Sequence, residues 1–461
     1  MHSSQNEQDS RHHAQASKTM MLEPSDSAEC LAYTKLAYEL SEQFDTPVIL
    51  RLSTRVSHSR SLSETAERVD NGVKDYVKDP QKYVMMPAMA KGRHVVVEER
   101  FQAETAWAET ASINTVKYND TSIGVIAAGI SYQYAKEALG DRVSYLKLGC
   151  VYPLPVELIK EFADKCDTVY VIEQLDDFIE THCRKIGVDV IGKEAFSFCG
   201  EYSQAMIAKA IFGEEKKSLQ ADVAIPGRPP VLCAGCPHRG LFYALKKLKV
   251  TVSGDIGCYT LGALAPLGMI DTCICMGASV SALHGHNKAR EGSNRHSVAV
   301  IGDSTFIHSG VTGLIDIAYN QGNSTVIILD NSITGMTGHQ QNPTTGYTIK
   351  GDPTAAVSLE ALCKAVGINR VAVEVIRQEL EADEPSVVIS RRPCALLKYV
   401  KHNPPLHVDR EKCTSCKMCM RIGCPAISIK EGKANIDFTQ CVGCDVCTQL
   451  CKFGAIQHKE G

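Results

Sequence analysis

The stretch that decides the fold is SVAVIGDSTF, residues 297–306, in which an apolar run ends at Gly302 and polar residues follow at once. The segment STVIILDNSITG, residues 324–335, repeats this order, and SVVIS at 386–390 adds a further apolar run. Short continuous apolar runs are typical of strands that are buried on both faces of a parallel sheet. The region from Val231 onward is therefore predicted to form an α/β domain.

Strands alternate with helical patterns again from SIGVIAAG onward, which indicates a second parallel α/β domain. The first residues end in the buried run PVILRL and are typical of the last third of an α/β domain. The proline-rich break IPGRPP, residues 225–230, marks the start of the domain that contains the opening stretch. We therefore predict five parts, which are part of an α/β domain at 1–60, a polar connection at 61–120, an α/β domain at 121–224, the domain of the opening stretch at 225–402 and a cysteine-rich domain at 403–461.

Composition excludes several classes of function. With 461 residues, of which 44% are hydrophobic, the chain can bury a large core, and its net charge of -4 gives no basic patch for nucleic acid. No apolar run approaches the roughly 18 residues of a membrane span, and the first residues lack the features of a secretory signal. The 20 cysteines favour metal ligation over disulfides in a cytoplasmic protein.

The cysteine-rich tail contains an internal duplication, CTSCKMCMRIGCP at 413–425 and CVGCDVCTQLC at 441–451. Each copy has a C-x2-C-x2-C triplet, and in two-cluster ferredoxins the later cysteine after a triplet binds the other cluster. The spacing thus predicts a small ferredoxin-like α+β domain with two [4Fe–4S] clusters, one held by Cys413, Cys416, Cys419 and Cys451 and the other by Cys441, Cys444, Cys447 and Cys424.

The alternative for the tail is a pair of zinc sites or unligated thiols, because structural zinc sites also use four cysteines. Two departures from the ferredoxin pattern stand in the sequence. Four residues instead of three precede Cys424, and Lys452 occupies the position where proline usually follows Cys451.

Asp303 and Asn331 each follow a predicted buried strand and lie 28 residues apart. Carboxyl ends of parallel strands are where α/β sheets bind ligands, and these oxygen ligands suit Mg²⁺ with its phosphate partners. Gly302 would let the backbone approach such a ligand closely. The alternative is that both residues belong to ordinary turns at strand ends.

The same residues resemble a known pattern. Gly302-Asp303-Ser304 with Asp330-Asn331 looks like the thiamine diphosphate motif, usually GDG followed by NN, with serine and aspartate as departures. The stretches MTGHQQNPTTG, LCAGCPHRG and GDIGCYTLG resemble the thiamine domain of the 2-oxoacid:ferredoxin oxidoreductases. Together with LGCVYPLP and the tail, they follow the order found in alpha subunits of the indolepyruvate type.

This resemblance implies the roles of further residues. Magnesium would be held by Asp303, Asn331 and the carbonyl near Ile333, with thiamine diphosphate beside Gly302 and Ser304. Met276 and Gly277 would contact the pyrimidine ring, although core packing also accounts for them. His238 would be catalytic or a plain hydrogen-bond donor. A third cluster would be held by Cys233, Cys236, Cys258 and Cys394, the alternative being that Cys233 and Cys236 only shape the loop.

The implied activity is oxidative decarboxylation of an aryl pyruvate to an aryl-acetyl-CoA and carbon dioxide, with coenzyme A as acyl acceptor and soluble ferredoxin as electron acceptor. A beta subunit would complete a heterotetramer of two alpha and two beta chains in the cytoplasm of an anaerobe. The alternatives are another 2-oxoacid, such as 2-oxoglutarate or a branched-chain acid, and a non-catalytic electron-transfer subunit. The family's thiamine-activating glutamate has no counterpart in this sequence, so an N-terminally truncated chain with weak thiamine binding is expected.

Overall fold

The computed structural model describes residues 7–70, 72–216, 222–224, 229–372 and 376–458. The chain separates into two compact units, Met1–Val223 and Ala224–Gly461. The predicted division into five parts is finer than this separation and stays a prediction. The proline-rich break IPGRPP lies mostly outside the described residues.

The elements of the first unit alternate along the chain. Its helices are α1 (Arg11–Ser17), α2 (Ser27–Phe44), α3 (Thr54–His58), α4 (Pro80–Tyr83), α5 (Pro87–Thr110), α6 (Gly129–Leu139), α7 (Val156–Ala163), α8 (Phe178–Lys185) and α9 (Gln204–Phe212). Its strands are β1 (Met20–Leu22), β2 (Val48–Leu50), β3 (Thr115–Lys117), β4 (Ile123–Ala128), β5 (Ser144–Leu148), β6 (Cys150–Tyr152) and β7 (Thr168–Ile172).

Two sheets organise the first unit. The larger one has the order β3-β5-β4-β7, in which β4 runs parallel to β5 and β7 while β3 is antiparallel. The smaller one has the order β2-β1-β6, with β1 parallel to β2 and antiparallel to β6. The predicted α/β class is therefore confirmed. Every residue of β5 is buried, and so is every residue of β4 except its first.

The segment predicted as a polar connection, residues 61–120, contains the 24-residue helix α5. This helix lacks a continuous apolar face, because only Glu104 and Ala108 are buried along it, and the sequence pattern therefore does not reveal it. Trp107 on the same helix packs against the core around β1 and α2. Among the described residues, no helix is both long and apolar enough to span a membrane.

The second unit is built on a parallel sheet. Its helices are α10 (His238–Leu248), α11 (Ala278–Ala289), α12 (Asp303–Thr305), α13 (Val311–Tyr319), α14 (Leu359–Ala365) and α15 (Ile376–Leu380). Its strands are β8 (Thr251–Gly254), β9 (Thr272–Cys273), β10 (Ser297–Gly302), β11 (Thr325–Asp330), β12 (Arg370–Ala372) and β13 (Ser386–Arg391). The order is β12-β13-β11-β10-β8-β9, and every recorded pair of neighbours is parallel, which confirms the predicted sheet.

The strand order reverses between β8 and β10. The chain passes from β8 outward to β9, then crosses to β10 and continues outward through β11. Such a reversal leaves a crevice at the carboxyl ends of the two strands, where open α/β sheets bind ligands. Because Gly302 of β10 pairs with Leu329 of β11, the residues that follow these strands meet at the same edge.

The tail is a small extension of the second unit. It has two antiparallel pairs, β14 (His407–Val408) with β17 (Ile456–Gln457) and β15 (Ile427–Lys430) with β16 (Lys433–Ile436). Its core contains a few apolar side chains, among them Leu406, Ile422 and Ile427, mixed with cysteines. So small an apolar core is typical of domains that need metal for stability.

Candidate thiamine and cluster sites

A cavity of about 130 Å³ lies at the carboxyl ends of β8, β10 and β11. The loops after these three strands supply most of its wall. It brings together most residues that the sequence assigns to thiamine and magnesium, namely His238, Met276, Gly302, Asp303, Ser304, Asn331 and Ile333, and Cys258 also lines it. Gly277 follows Met276 at the start of α11.

Asp303 is a buried carboxylate at the floor of this cavity. Its Oδ2 accepts hydrogen bonds from Asn342 Nδ2 at 3.3 Å and Thr344 Oγ1 at 3.1 Å. Burial, and to a lesser extent the negative charge of Asp330, raises the pKa of Asp303 to about 6. In the described part of the chain, no lysine, arginine or histidine forms an ion pair with it, so a bound cation would relieve this unfavourable position.

One turn orders the loop after β11, and one side-chain hydrogen bond joins it to the loop after β10. Asn331 Oδ1 accepts a hydrogen bond from the Ile333 N–H at 3.3 Å, which fixes its side chain at the strand end. Thr334 Oγ1 donates to Ser304 Oγ at 2.9 Å. The serine that departs from the GDG pattern therefore links the two predicted halves of the site, and its hydroxyl is not left unpaired.

The second departure, Asp330, also has a structural partner. Its Oδ2 accepts from Arg391 Nε at 2.6 Å, and Asp330 lies opposite Arg391 in the β11–β13 register. Oδ1 accepts from the Ser332 N–H at 3.1 Å. Asp330 therefore links the carboxyl ends of β11 and β13. Of Asp330 and Asn331, it is Asn331 that lines the cavity.

The two predicted glycines lie where a side chain would collide. A Cβ on Gly302 would lie 2.8 Å from Tyr259 Cε1, and Tyr259 lines the same cavity. Gly277 has φ +87°, and a Cβ there would lie 2.4 Å from Ser309 Oγ. Gly277 thus begins α11 in a left-handed conformation that favours glycine.

Asp255, which follows β8, is a structural residue that the sequence reasoning missed. It is fully buried, and its carboxylate accepts from the N–H groups of Ile256, Gly277 and Ser279 at 2.8–3.0 Å. It therefore caps the N-terminus of α11 and fixes Met276 and Gly277 beside the cavity. The available signal was its position directly after a strand, which it shares with Asp303.

His238 stands at the start of α10 and lines the cavity. It is buried, and burial lowers the pKa of its imidazole to about 4. Its ring contacts Tyr259 edge-on, with centroids 5.9 Å apart. Without a ligand the imidazole is uncharged at neutral pH, so it could donate or accept a hydrogen bond with a bound molecule.

The four cysteines of the predicted third cluster are brought together from three segments. Cys258 interacts electrostatically with both Cys233 and Cys394, and Cys236 interacts with Cys233 and Cys258. The Cys394 N–H donates to the carbonyl of Asn331 at 2.9 Å, which ties this set to the β11 loop. Cys258 lines the cavity of Asp303, so the cysteine set borders the predicted thiamine site.

The eight tail cysteines surround two separate cavities. One is lined by Cys413, Cys416, Cys419 and Cys451, and the other by Cys424, Cys441, Cys444 and Cys447. These are the two sets that the duplication predicts, with the last cysteine exchanged between copies. The N–H groups of Leu406 and Ala455 approach the sulfurs of Cys441 and Cys451 at 3.4 and 3.3 Å.

The spacing of the cysteine sulfurs bears on the zinc alternative. Thiolates around one zinc ion lie roughly 4 Å apart, given zinc–sulfur bonds of about 2.3 Å. Among the described residues, the group of three metal-type side chains whose ligand atoms lie within 4.8 Å of one another is Asp9, His12 and Asp176, and no cysteine belongs to it. The cysteine sets are therefore spread more widely than a single zinc ion requires.

Comparison with known proteins agrees with this geometry. Residues 255–394 match the family described as thiamine pyrophosphate enzyme, C-terminal TPP binding domain. Indolepyruvate oxidoreductase subunit IorA of Archaeoglobus fulgidus is 37% identical, over 99% of this chain and 79% of the relative. The protein of the same name from Pyrococcus horikoshii is 36% identical, over 100% of this chain and 81% of the relative.

A solved structure of 2-oxoglutarate:ferredoxin oxidoreductase from Magnetococcus marinus overlaps 38% of this chain and 68% of its own, at 20% identity and a TM-score of 0.32. That overlap is too low to support an argument. The two IorA relatives suffice, because each shares more than a third of its aligned residues over nearly the whole chain. The chain therefore belongs to the family of indolepyruvate oxidoreductase subunit IorA.

Proposed function

We propose that this chain is the thiamine diphosphate-binding subunit of an oxidoreductase that oxidatively decarboxylates aryl pyruvates such as indolepyruvate. Coenzyme A would take the acyl group, and electrons would pass through [4Fe–4S] clusters to ferredoxin. The observation that carries this proposal is the presence of Cys258 in the wall of the cavity formed by Asp303 and Asn331. A thiamine-type site and a cysteine set thus share one cavity.

The residues of the cavity fit Mg²⁺ and a diphosphate. Asp303 offers a buried carboxylate without a cationic partner among the described residues, and Asn331 and the Ile333 carbonyl would add oxygen ligands. Gly302 keeps the floor free of a side chain. When bound, thiamine diphosphate supplies the carbanion chemistry that removes carbon dioxide from a 2-oxoacid.

His238 and Met276 would position the organic part of the ligands. The imidazole of His238 is neutral and buried, so its role would be to donate or accept a hydrogen bond in a site that excludes water. Met276 precedes the glycine that begins α11 and would supply an apolar wall.

The cysteine sets would form the electron path. We assign one cluster to Cys413, Cys416, Cys419 and Cys451, a second to Cys424, Cys441, Cys444 and Cys447, and a third to Cys233, Cys236, Cys258 and Cys394. Cys236 also lines the cavity of the second set, which makes the order third, second, first from the thiamine cavity outward. Clusters accept electrons singly, as oxidation of a decarboxylated 2-oxoacid in one-electron steps requires.

Composition of the protein is the first test. The chain is purified without oxygen together with its partner subunit, and iron, sulfide and thiamine are measured. Roughly twelve iron atoms per chain are expected for three [4Fe–4S] clusters, and roughly eight would remove the third from the proposal. Thiamine content is measured separately from turnover, so that binding of the cofactor and activity are distinguished.

Variants then assign the clusters. Cys424→Ser should remove the EPR signal of the Cys441, Cys444 and Cys447 cluster and leave that of its sequence neighbours. Cys363→Ser is the matched control, since Cys363 is buried in the core of the sheet far along the chain from each set. Loss of the first cluster in Cys424→Ser would refute the exchanged pairing.

Substrate rates complete the test. Ferredoxin reduction is compared for indolepyruvate, phenylpyruvate, 2-oxoglutarate and a branched-chain 2-oxoacid, each with coenzyme A. Aryl pyruvates should give the highest kcat/KM. A preference for 2-oxoglutarate would refute the aryl assignment but leave the thiamine site in place.

A further inference from the structure

A buried arginine ties the loop of Cys233 and Cys236 to the tail. Arg239 is only 3% exposed. Its guanidinium donates to the carbonyls of Leu232 and Cys233 in its own loop and to those of Ile422 and Gly423 in the tail. One side chain therefore fixes the distance between two segments that are more than 180 residues apart in sequence.

Close packing supports the same junction. Gly235 has φ +70°, and a Cβ on it would lie 2.2 Å from Val442 Cγ2 in the second cysteine motif. Gly423 has φ +62°, and a Cβ there would lie 2.7 Å from Pro266 Cδ. The backbone of the loop of Cys233 and Cys236 therefore packs closely against the tail segment that contains Cys441 and Cys444.

The charge of Arg239 has no carboxylate counterpart. Within the described residues, no aspartate or glutamate forms an ion pair with its guanidinium, and its four acceptors are neutral carbonyls. The groups whose negative charge would act on it are the sulfurs of Cys424, Cys236, Cys233 and Cys444. A buried cation without an anion is costly, so these sulfurs are its natural counter-charges when they are metal-bound thiolates.

Arg239 also belongs to only one of the two tail cavities. It lines the cavity of Cys424, Cys441, Cys444 and Cys447, together with Cys236. The cavity of Cys413, Cys416, Cys419 and Cys451 is lined by tail residues alone, from Val408 to Ile456. We call the clusters of these two cavities the inner and the outer cluster.

Resting on the proposed function, we propose that Arg239 is a positioning residue that seats the inner cluster against the Cys233 loop and raises the reduction potential of that cluster. Reduction adds one electron to the cluster and breaks no bond, so the reduced state carries one more negative charge. A fixed positive charge in a poorly solvated site stabilises that state. The electron comes from the 2-oxoacid during turnover, or from dithionite in a titration.

The test is an EPR-monitored dithionite titration of the complex purified without oxygen. Arg239→Met removes the charge at similar length, and Arg239→Lys keeps the charge but loses the guanidinium fork. Arg421→Met is the matched control, because Arg421 is exposed on the tail and near the outer cluster in sequence. In Arg239→Met the reduction equilibrium of the inner cluster should fall at least tenfold, about 59 mV for one electron.

The outer cluster should titrate unchanged in both Arg239 variants, and Arg239→Lys should keep most of the potential of the inner cluster. An unchanged inner cluster in Arg239→Met, or an equal shift in Arg421→Met, would overturn the proposal. Loss of inner-cluster iron in both Arg239 variants would reduce Arg239 to a purely structural residue and would also overturn it.

Failure of the proposed function would look different. A wild-type complex without iron in the tail, or one that does not bind added thiamine diphosphate in the presence of Mg²⁺, would refute the proposed function before any variant is compared. A complete wild-type cofactor content with no effect of Arg239→Met would refute only the role of the arginine. Iron content and potentials are measured without turnover, so substrate preference does not enter the result.

Discussion

Each unit of this molecule contains a buried arginine, and the two arginines differ in how their positive charge is balanced. Arg11 in the first unit is 2% exposed and forms ion pairs with Asp9 and Glu173, both of which are buried. Arg239 in the second unit is 3% exposed, and among the described residues its guanidinium donates hydrogen bonds only to backbone carbonyls. Burial and hydrogen bonding are alike, and the difference lies in the counter-charge.

The carboxylates of the second unit repeat this contrast. Asp255 is balanced by three backbone N–H groups, two of them at the start of α11 and the third on Ile256, whereas Asp303 has a raised pKa and no cationic partner among the described residues. Charges that the chain itself balances stabilise the fold. Where it leaves charges unbalanced, we expect a bound group to complete the structure.

The largest expected effect concerns Arg11. Arg11→Met leaves the carboxylate of Glu173 buried without its cation and leaves Asp9 with only the longer ion pair to Arg51, at 3.7 Å. Removing one partner of a buried ion pair typically costs about 3–5 kcal/mol. We expect the free energy of unfolding of the first unit to fall by this amount, whether or not iron and thiamine are bound. The single tryptophan, Trp107, lies in α5 of the first unit, so its fluorescence during urea unfolding reports on this unit.

Arg60→Met is the control for this experiment, because Arg60 is exposed. It should change the free energy of unfolding by less than about 0.5 kcal/mol. If Arg11→Met destabilised the protein no more than Arg60→Met, the carboxylates of the first unit would not depend on the arginine, and the contrast with Arg239 would fail.

The next largest effect concerns Asp303, whose negative charge we expect a bound cation to balance. Asp303→Asn should weaken binding of thiamine diphosphate in the presence of Mg²⁺ by roughly 100-fold, about 2.8 kcal/mol, measured by equilibrium dialysis of the complex. The ligand-free protein should not be destabilised at neutral pH, because the ionised Asp303 is itself unfavourable there. Exposed Asp352→Asn is the control. A loss of ligand-free stability with unchanged binding would contradict the assignment.

Glu104 is a carboxylate of the first unit that is only weakly balanced, because its ion pair with Arg100 Nε is long, at 3.7 Å. It is fully buried in α5, both carboxylate oxygens lack a hydrogen-bond partner, and burial raises its pKa to about 7. Since the folded pKa is above that of the unfolded chain, stability should fall as pH rises from about 4.5 to 7 and then level off, by up to about 3 kcal/mol in total.

Glu104→Gln should remove most of this fall, and Glu99→Gln, exposed on the same helix, should retain it. Urea unfolding at several pH values, followed by tryptophan fluorescence and circular dichroism, measures both slopes. Equal slopes in wild type and Glu104→Gln would place the ionised carboxylate in contact with water.

Sequence reasoning predicted the sheet of the second unit and the positions of Asp303 and Asn331 because both depend on local signals. A buried parallel strand has a continuous apolar run, and the residue after it must lie at the carboxyl edge. The grouping of the tail cysteines was likewise available from spacing. The position of each cysteine set relative to the thiamine cavity could not be predicted from spacing, because it depends on contacts between segments that are distant in sequence.

The residues that the sequence did not reveal make contacts with segments that are distant in sequence. Arg239 binds carbonyls in the tail, and Asn342 and Thr344 reach back to Asp303 across a loop. The helix α5 escaped prediction because its exposed face carries apolar residues such as Val95 and its buried face carries Glu104. Periodicity indicates a helix only when polarity follows burial.

The smallest expected effect tests the balanced carboxylate of the second unit. In Asp255→Asn the charge is lost and the amide can accept fewer of the three N–H groups, so α11 should be destabilised by about 0.5–2 kcal/mol, as for the loss of an N-cap. Amide hydrogen exchange of residues 278–289 should rise accordingly, to the same extent with and without thiamine diphosphate. If the increase appeared only without the ligand, Asp255 would belong with Asp303 among the charges that a bound group completes.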